Sequence, residues 1–318
     1  MPKSAKPTKA GTSRKNKLTR CIIISIIVCM TAASLLITYA GDLHLPFKIP
    51  SWNRILYSLD KSSPDLGGYP VKVHFLDVGQ GDCAFIETGG HAILIDGGER
   101  GNADKIKSYI YSAGFDKIDL MIATHPHSDH MGGLVGILES VPVKEILMSE
   151  LDEFNTPTTK VYEDFLDAAA DSGAKVTAAK PGLKYRFGEA SLTVLSPSSQ
   201  DSDLNNMSVV TRLEYGDIGY LFMGDATSKV EKQLLGRDED VSANVIKLGH
   251  HGSKHSSSSD FIVQVAPELA VFCVGYNTYG HPTQDVIDIL EKYYIEYRRT
   301  DYNGDIVVAT DGKRIEVN

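Results

Sequence analysis

Cysteine and tryptophan are scarce in this chain, which has four cysteines and one tryptophan in 318 residues. Cys21 and Cys29 fall within an apolar segment, so Cys83 and Cys273 are the only cysteines in the rest of the sequence. These two residues lie 190 positions apart in strand-like runs, a pattern typical of separate buried thiols. The sequence therefore argues against a fold held together by a framework of disulfide bonds.

Acidic residues are absent from the first forty residues. Residues 1–20 contain seven lysines or arginines and no acidic residue, and residues 21–40 contain no charged residue at all. Twenty apolar residues in a helix span about 30 Å, the hydrocarbon thickness of a bilayer. Because a basic tail stays on the cytoplasmic side, we predict a transmembrane signal anchor at residues 21–40, in a single-pass protein of the cell membrane whose remaining chain is extracytoplasmic.

Two other interpretations of residues 21–40 stay open. A buried core helix has the same apolar character, but the basic tail and Tyr39 near the far end favour a membrane span. A cleaved signal peptide usually has a shorter apolar region, of about 7 to 15 residues, that ends in an Ala-x-Ala-like site. The sequence Thr38-Tyr39-Ala40 fits such a site only weakly.

The remaining chain divides into a linker and a regular domain. Residues 41–70 contain several prolines and glycines and predict a linker. From residue 71 onward strand and helix patterns alternate, which predicts one α/β domain at residues 71–318 around a mixed sheet. Strands are predicted at 71–78, 83–88, 91–96, 120–125, 175–178, 191–196, 208–215, 219–225, 245–249, 269–275 and 305–310. Helices are predicted at 102–114, 132–141, 159–173, 227–235, 259–265 and 283–294.

Three of the ten histidines lie within six positions, in the stretch THPHSDHMGG. If the strand LMIATH continues in extended form, the side chains of His125 and His127 point the same way and can bind one ion. Asp129 and His130 lie at the entrance of the next helix, for which Ser128 or Asp129 is a suitable N-cap, so they suit a second, adjacent ion. Imidazole and carboxylate groups are typical ligands of zinc, manganese or iron.

Four ligands from one loop do not complete a site for two ions, so further ligands are expected at other strand ends. Asp225 follows the apolar strand GYLFMGD, and His250 and His251 follow the strand VIKLG. A carboxylate between imidazole groups is a natural bridge for two ions about 3.5 to 4 Å apart. Asp225 is therefore the predicted bridge, unless it is a turn residue or a helix cap, and either histidine can supply the last ligand.

The order of HxHxDH, a later GD and a later HHGS resembles the metallo-β-lactamase superfamily of binuclear hydrolases. Further stretches resemble the extracellular metal-dependent domain of the ComEC-type DNA-uptake competence proteins over about residues 71–317: HFLDVGQGDCAFIET, ILIDGG, NNMSVVTRLEYGDIGYLFMGD, IKLGHHGSKHS, YNTYGHP and YRRTDYNGDIVVATDG. The resemblance implies a four-layer αββα fold with two divalent metal ions, zinc or manganese, at one edge of the paired sheets.

The resemblance also implies roles for individual residues. The metal ligands it implies are His125 and His127 for the first ion, Asp129 and His130 for the second, Asp225 as the bridge and His251 as the last histidine. His250 would then face the scissile phosphate. His281, in the stretch YGHP, is expected to contact the phosphate or to act as an acid, although a histidine at a loop corner is equally often structural.

One superfamily feature is missing from this chain. Many members supply a third histidine to the first ion from the region where this chain has NNMS. Asn205, Asn206 and Ser208 offer only neutral groups there, so the first ion should be more weakly held or more open. This difference argues against β-lactamase activity.

Two carboxylates flank the second and third predicted strands. A two-residue GG loop pairs these strands so that Asp96 lies beside Asp82, and both carboxylates would orient ligand histidines through their second ring nitrogens. The turn VGQGD lacks the GxGxxG spacing of a nucleotide-binding loop. Its glycines more readily permit a tight turn close to the metal ions. Asp77, Gln80 and Asp82 are therefore expected to support the metal site or to contact substrate.

The predicted reaction is metal-assisted hydrolysis of a phosphodiester in nucleic acid, related to DNA uptake. Asp129 would help to orient the attacking water, and His250 or His281 would stabilise or protonate the leaving oxygen. The net charge is −9, and removing the seven positive charges of the tail leaves −16 for residues 21–318, unlike a general DNA-binding surface. DNA would be held locally by four basic residues, unless these are ordinary surface charges: Lys247, Lys254, Arg298 and Arg299.

Two alternative functions stay open at this point. One is hydrolysis of a small diester, as in phosphorylcholine-esterase-like enzymes of the same fold. The other is a membrane-tethered binding module whose hydrolase site has decayed, which the intact ligand set argues against. ComEC-type proteins join this domain to a many-helix channel segment, so a DNA-uptake channel protein would have to be a separate partner.

Overall fold

The computed structural model describes Thr19, residues 23–32, residues 34 and 35, and residues 66–318. The described residues between positions 19 and 35 are helical. Within the described part of the chain, no helix is both long enough and apolar enough to cross a membrane. The other residues of the predicted tail, anchor and linker lie outside the described part.

The first sheet has eight strands: β1 (Val71–Phe75), β2 (Ala84–Thr88), β3 (His91–Ile95), β4 (Leu120–Ala123), β5 (Glu145–Met148), β6 (Lys175–Ala178), β14 (Ile306–Thr310) and β15 (Ile315–Val317). Their order across the sheet is β15-β14-β1-β2-β3-β4-β5-β6. The pairs from β3 to β6 are parallel and the others are antiparallel. Thr88 pairs with His91 and Ala84 with Ile95, which confirms the predicted register of the β2–β3 hairpin.

The second sheet has seven strands: β7 (Lys184–Phe187), β8 (Ala190–Val194), β9 (Thr211–Tyr215), β10 (Ile218–Phe222), β11 (Val245–Lys247), β12 (Leu269–Phe272) and β13 (Glu296–Arg299). Their order is β13-β12-β11-β10-β9-β8-β7. The four strands from β10 to β13 are parallel, and the pairs from β7 to β10 are antiparallel.

Residues 66–318 also contain seven α-helices: α1 (Ala103–Ser112), α2 (Ser128–Ser140), α3 (Lys160–Ser172), α4 (Ser228–Gly236), α5 (Ser259–Val265), α6 (Gln284–Lys292) and α7 (Thr300–Asn303). Three short 3-10 helices lie between them, at Arg100–Asn102, Leu204–Met207 and Gly249–Gly252.

The two sheets pack face to face around one apolar core. Phe75 of β1 and Phe222 of β10 belong to this core, with ring centroids 6.1 Å apart. Successive side chains of a strand point to opposite faces, so His74 of β1 points outward, and its Nδ1 lies 2.8 Å from the hydroxyl of Tyr109 in α1. Helices therefore cover the outer face of the first sheet.

The outer face of the second sheet is covered in the same way. Leu221 of β10 and Ile246 of β11 belong to a second apolar core that also contains Val230 of α4, Phe261 of α5 and Leu290 of α6. The layers thus follow the order helix, sheet, sheet, helix, which is the predicted α/β arrangement.

The layered fold brings several strand ends to one edge. In the first sheet Asp96 follows β3 and His125 lies just after β4; in the second sheet Asp225 follows β10 and His251 follows β11. The carboxyl ends of parallel strands meet at the same edge of a sheet. Residues far apart in the sequence therefore meet where the two sheets face each other.

Some predicted boundaries are wrong. Strands β5, β7, β13 and β15 were not predicted, and the predicted strand at 71–78 ends at Phe75. Helix α2 begins at Ser128, four residues before the predicted start, and its N-cap is His127 rather than Ser128 or Asp129. The Ser128 hydroxyl donates instead to Glu99 Oε1 at 2.9 Å, so it is not available to cap the helix.

Candidate metal centre

His125, His127 and Asp225 form a first group of candidate ligands. His125 Nε2 lies 2.9 Å from His127 Nδ1 and 3.7 Å from Asp225 Oδ2. His127 has an extended backbone conformation (φ −86°, ψ 152°), so the imidazoles at alternate positions converge on one point. Three ligand atoms are thus within reach of a single ion.

His130, His251, Asp129 and Asp225 form a second group. His130 Nε2 lies 3.2 Å from Asp225 Oδ1 and 3.9 Å from Asp129 Oδ2. His251 Nε2 lies 3.2 Å from Asp129 Oδ2 and 3.6 Å from Asp225 Oδ2. The Oδ2 atom of Asp225 faces the first group, and its Oδ1 atom faces His130 of the second group. This is the placement expected of a bridging carboxylate.

Acceptor groups fix the tautomers of two of these histidines. His130 Nδ1 lies 2.8 Å from Asp96 Oδ2, and His251 Nδ1 lies 2.8 Å from the carbonyl oxygen of Cys273. A carboxylate and a carbonyl only accept, so each Nδ1 carries a proton and each Nε2 is the nitrogen that faces the cluster. Metal-binding imidazoles require this orientation.

Thr124 gives His125 the same orientation. The Thr124 hydroxyl donates to Asp96 Oδ2 at 2.7 Å, and its oxygen lies 3.1 Å from His125 Nδ1. Because the hydroxyl proton is already used, the oxygen accepts from His125 Nδ1 and the Nε2 lone pair is left for the cluster. The sequence reasoning did not identify Thr124, whose only signal is its place between an apolar strand and the first histidine.

Asp82 and Lys247 form a buried ion pair on the Nδ1 side of the second group. Asp82 Oδ1 lies 3.2 Å from His251 Nδ1, and Asp82 Oδ2 lies 3.7 Å from His130 Nδ1. Lys247 Nζ also donates to the Gly224 carbonyl at 2.8 Å. Asp82 lies close to the ligand atoms of His130, Asp225 and His251. Its carboxylate, however, faces the Nδ1 atoms of the two imidazoles and the Lys247 ammonium. This geometry suits a residue that holds the imidazoles in place rather than one that binds a metal.

The donor atoms at the centre of the cluster fit divalent cations. His130 Nε2 and Asp225 Oδ1 are buried without a hydrogen-bond partner, which costs free energy unless another group satisfies them. A divalent cation satisfies both atoms at once. Imidazole and carboxylate donors suit zinc, manganese or iron, and the two groups that share Asp225 suit two ions.

The cluster is held together by opposite charges. Burial alone would lower the pKa of His130 and of His251, but the surrounding carboxylates raise the first well above its usual value and the second to about 10, so a metal ion would displace a proton from each ring. Burial alone would raise the pKa of the Asp225 carboxyl, but His130 and His251 hold that pKa well below its usual range. Burial alone would also raise the pKa of Asp129, but His130 and His251 hold that pKa below its usual range. Burial lowers the pKa of His125 well below its usual value. Ionised carboxylates and a neutral imidazole are the forms that bind metals.

A cavity of about 440 Å³ opens onto the cluster, and both His250 and His281 line it. His250 Nε2 lies 3.7 Å from Asp225 Oδ2, and the His250 ring centroid lies 5.4 Å from that of His281. Burial lowers the pKa of His250, and it lowers the pKa of His281 to about 4. The Nδ1 atoms of both rings are buried without a hydrogen-bond partner. Two neutral imidazoles thus stand beside the candidate metal positions.

The backbone at His250 and His251 is in the left-handed region, with φ values of 50° and 54°. Non-glycine residues rarely adopt this conformation, and each such residue costs about 1 to 3 kcal/mol. The conformation aims His251 at the second group and His250 at the cavity. Strain of this kind is typical of functional sites, and no residue pattern in the stretch LGHHGS predicts it.

The turn before β2 lies directly against α2. The Asp82 N–H donates to the Asp129 carbonyl at 3.1 Å. Gly81 has a φ of 138°, and a Cβ at this position would overlap the Asp129 backbone oxygen. Gln80 lines the cavity, and its Oε1 accepts from the Gly275 N–H at 3.3 Å. Glycine at position 81 therefore permits the close approach that brings this turn to the site.

A family model described as "Metallo-beta-lactamase superfamily" matches residues 76–276, which span the first sheet's hairpin, the histidine cluster and Asp225. The chain belongs to the metallo-β-lactamase superfamily. The ligand atoms described above lie at the sheet edge where the resemblance to this superfamily implies metal ions.

The resemblance to ComEC-type competence proteins is also confirmed. The chain is 29% identical to ComE operon protein 3 of Bacillus subtilis (strain 168) over 255 residues, which cover 74% of this chain and 32% of that protein. It is 32% identical to Competence protein ComA of Neisseria gonorrhoeae over 232 residues, which cover 72% of this chain and 30% of that protein. The chain therefore spans about a third of the length of these relatives.

A solved structure shows the same fold. CmlA, a diiron beta-hydroxylase from Streptomyces venezuelae, superposes with a TM-score of 0.52 at 14% sequence identity, covering 77% of this chain and 55% of that chain. At this identity the likeness concerns the two-sheet metallo-β-lactamase fold alone.

Ser208 belongs to the stretch in which many superfamily members have a third histidine, and it lies beside His125 and Asp225. Ser208 Oγ lies 3.5 Å from His125 Nδ1 and accepts from the Asp225 N–H at 3.0 Å. Asn206 Oδ1 accepts from the Thr227 hydroxyl at 2.5 Å, and the Asn205 N–H donates to Asp203 Oδ1 at 3.1 Å. A role for either asparagine at the site stays a prediction. Ser208 supports His125 and Asp225 through uncharged contacts.

Asp77 contacts the backbone of the turn before β2. Its carboxylate accepts from the Gly79 N–H at 3.1 Å, and its own N–H donates to Asp305 Oδ1 at 2.8 Å. Asp77 thus shapes the turn that leads to Gln80, and it is not among the residues that line the cavity.

The four basic residues proposed to hold DNA have different environments. Lys247 is 3% exposed and paired with Asp82, so it is neither a DNA contact nor a surface charge. Arg298 and Arg299 are half-buried; Arg298 lies 2.6 Å from Glu296, and Arg299 bonds to Asp301 at 3.0 and 2.7 Å. Lys254 is exposed, but it does not line the cavity.

Proposed function

We propose that this chain is a membrane-anchored, extracytoplasmic metal-dependent phosphodiesterase that hydrolyses nucleic acid. The observation that carries the proposal is the pair of ligand groups that share Asp225 and open onto a cavity lined by two neutral histidines. Two zinc or manganese ions bound there would polarise the phosphoryl oxygens and make an attacking water more acidic.

The carboxylates of the cluster have separate tasks in this proposal. Asp225 is buried and faces both groups, so it holds them in a fixed relation. The Asp129 side chain is 26% exposed and lines the cavity, so its carboxylate can accept a hydrogen bond from an attacking water and orient it. Burial of Asp225 keeps solvent from competing for its oxygens.

His250 and His281 face the cavity beside the cluster. Each neutral imidazole carries one N–H, which can donate to a phosphoryl oxygen or to the leaving oxygen. The rings lie at van der Waals range from each other in an edge-to-face arrangement, with an interplanar angle of 74°. This fixed pair is suited to stabilising charge on the departing group.

The cellular placement in the proposal comes from the sequence. Residues 21–40 would form the anchor, residues 1–20 a cytoplasmic tail and residues 41–70 a linker to the hydrolase domain at 71–318. A DNA-uptake channel would then be supplied by another protein, and the hydrolase would act beside it.

Nucleic acid is the favoured substrate for two reasons. One similar protein is named Competence protein ComA. The similarity to this protein and to ComE operon protein 3 covers 72% and 74% of this chain. A small phosphodiester is the second candidate. It is favoured by one observation: among the described residues that line the cavity, none is a lysine or an arginine. Polyanions usually gain affinity from such residues.

The test of the proposed function combines bound metal and substrate range. The full-length chain, purified in mild detergent, is incubated with Mn²⁺ or Zn²⁺ and single-stranded DNA, duplex DNA or bis-p-nitrophenyl phosphate. We expect hydrolysis of DNA, and a double variant His127→Ala/His130→Ala should lose bound metal and at least about 100-fold in rate, since loss of supporting partners alone costs about 10- to 100-fold in metal affinity or activity.

His255→Ala is the matched control, because His255 is an exposed histidine that does not line the cavity. This variant should keep its metal content and its rate. Equal metal content in the double variant and the wild type, measured by elemental analysis, would overturn the site assignment. Hydrolysis of the small diester alone would assign the second candidate function.

A further inference from the structure

The segment from residue 275 to residue 282, here called the rim loop, carries two exposed aromatic side chains. Tyr276 is 94% exposed and Tyr279 is 76% exposed. Of these two, Tyr279 lines the cavity that opens onto the metal cluster. The reaction proposed above uses His281 of this loop but gives no task to Tyr279.

The rim loop has a defined conformation. The Asn277 side chain accepts from the N–H groups of Tyr279 (3.1 Å) and His281 (3.0 Å), and it donates to the carbonyls of Gly275 and His281, both at 2.9 Å. At the start of the loop, a Cβ on Gly275 would overlap the backbone of Gly79. A single amide thus fixes the backbone on both sides of Tyr279, which is presented at a constant position.

The position of Tyr279 relates it to the reacting group. Its ring centroid lies 5.9 Å from that of His281, and the His281 ring in turn lies 5.4 Å from that of His250. The tyrosine is therefore one ring further from the metal cluster than the histidine proposed to contact phosphate. A substituent of a phosphodiester bound at the cluster would extend into the cavity that Tyr279 lines.

The charge of the cavity indicates which part of the substrate is recognised. No lysine or arginine is among the described residues that line it, so side-chain cations there do not track a phosphate backbone. Of the contacts that proteins use to bind single strands, the one that this cavity offers is an aromatic side chain on which a base can stack. Bases within a duplex have no free face for such a contact.

We propose that Tyr279 stacks against a nucleobase next to the scissile phosphodiester, so that the substrate is single-stranded nucleic acid. This inference rests on the proposed phosphodiesterase function. A stacked base adds about 1 to 2 powers of ten in affinity, so the loss of the ring should weaken binding and turnover of strands that carry bases.

The experiment compares the full-length chain loaded with Mn²⁺ on two fluorescein-labelled single strands of equal length, oligo-dT and the same strand with abasic sites. The wild type should cleave oligo-dT with a kcat/KM at least about tenfold higher than the abasic strand. Tyr279→Ala should cleave both strands at the same low rate and should bind oligo-dT about tenfold more weakly by fluorescence anisotropy. Tyr279→Phe keeps the ring and should behave as the wild type.

Tyr302→Ala is the matched control, because Tyr302 is also 76% exposed but does not line the cavity. It should leave both substrates unaffected. If Tyr279→Ala lowers kcat/KM for both strands by the same factor, or for neither, the stacking proposal is wrong while the phosphodiesterase function stands. If the wild type cleaves no strand and no small diester, the proposed function fails and this inference fails with it.

Discussion

A buried ion pair between Lys247 and Asp82 holds the Nδ1 side of His130 and His251. Lys247 is 3% exposed and Asp82 is 5% exposed. Burial alone would lower the pKa of Lys247, but the carboxylates of Asp82 and Asp225 raise it, so the ammonium stays charged. A buried pair of this kind adds little net stability, whereas removing one partner leaves the other charge uncompensated.

Substitution of Lys247 should therefore be costly. We expect Lys247→Met to lower the free energy of unfolding by about 3 to 5 kcal/mol, measured by urea denaturation, and to reduce bound metal because Asp82 no longer holds the two imidazoles in place. Lys254→Met is the control at an exposed lysine and should change the free energy of unfolding by less than about 0.5 kcal/mol.

A double variant separates the ion pair from general damage to the fold. Asp82→Asn/Lys247→Met should cost less than the sum of the two single substitutions, because residues that contact each other show coupled effects. Strictly additive losses would contradict the view that Lys247 acts through Asp82.

Residues that bind through a local motif could be predicted, and residues that act through burial could not. His125, His127, Asp129 and His130 stand out because four donors follow one strand, and the structure brings them together with Asp225 and His251. Lys247 was predicted to hold DNA or to be a surface charge, because the sequence does not show that a lysine at the end of a short strand is buried against a turn of the other sheet. Asp77 and Asp82 belong to the same turn, and only the folded backbone shows which of them points to the site.

At the scale of elements, the entry of α2 into the site depends on glycine. A Cβ on Gly133 would overlap the Gly97 carbonyl, and one on Gly132 would lie 2.6 Å from the Arg100 nitrogen. The Gly133 N–H donates to the Gly98 carbonyl at 2.9 Å, and the Gly97 N–H donates to the His130 carbonyl at 2.7 Å. The first turn of α2, which carries Asp129 and His130, is thus locked against the segment that follows β3.

Gly133→Ala should displace this turn. We expect a loss of about 1 to 3 kcal/mol in the free energy of unfolding from overpacking, together with weaker metal binding, measured by urea denaturation and by titration with Zn²⁺. Gly236→Ala is the control, since the Gly236 position has open space around it at the end of α4. That substitution should be neutral or slightly stabilising, and an equal loss in both variants would contradict the proposed role of the close contact.

Most elements in which apolar residues repeat were predicted, whereas four short strands were missed, among them the buried strand β5 (EILM). The predicted helix at 259–265 has the bounds of α5, and β2 and β3 pair in the predicted register. Strands β7 (KYRF) and β13 (EYRR) lie at the edges of the second sheet and are only partly buried, so they lack the apolar pattern that marks a strand. Pairing with a neighbouring strand, which the sequence does not show, determines them.

At the scale of the whole molecule, the candidate ligands join the two sheets. His125, His127 and His130 follow β4 of the first sheet, whereas Asp225 and His251 follow β10 and β11 of the second. Ions bound at the cluster would therefore link two sheets that otherwise contact each other mainly through apolar side chains. Binding to the folded state alone stabilises that state by mass action.

Metal binding should consequently raise the stability of the whole domain. We expect the free energy of unfolding of the wild type, measured by urea denaturation, to rise by about 2.7 kcal/mol for each ion bound when free Zn²⁺ or Mn²⁺ is present at 100 times its dissociation constant, relative to the same protein in EDTA. Asp225→Asn removes the charged carboxylate that faces both groups, so this variant should gain much less than the wild type. Each protein is compared with its own metal-free state, so an intrinsic effect of the substitution cancels; equal gains in both proteins would contradict a shared ligand between the two sheets.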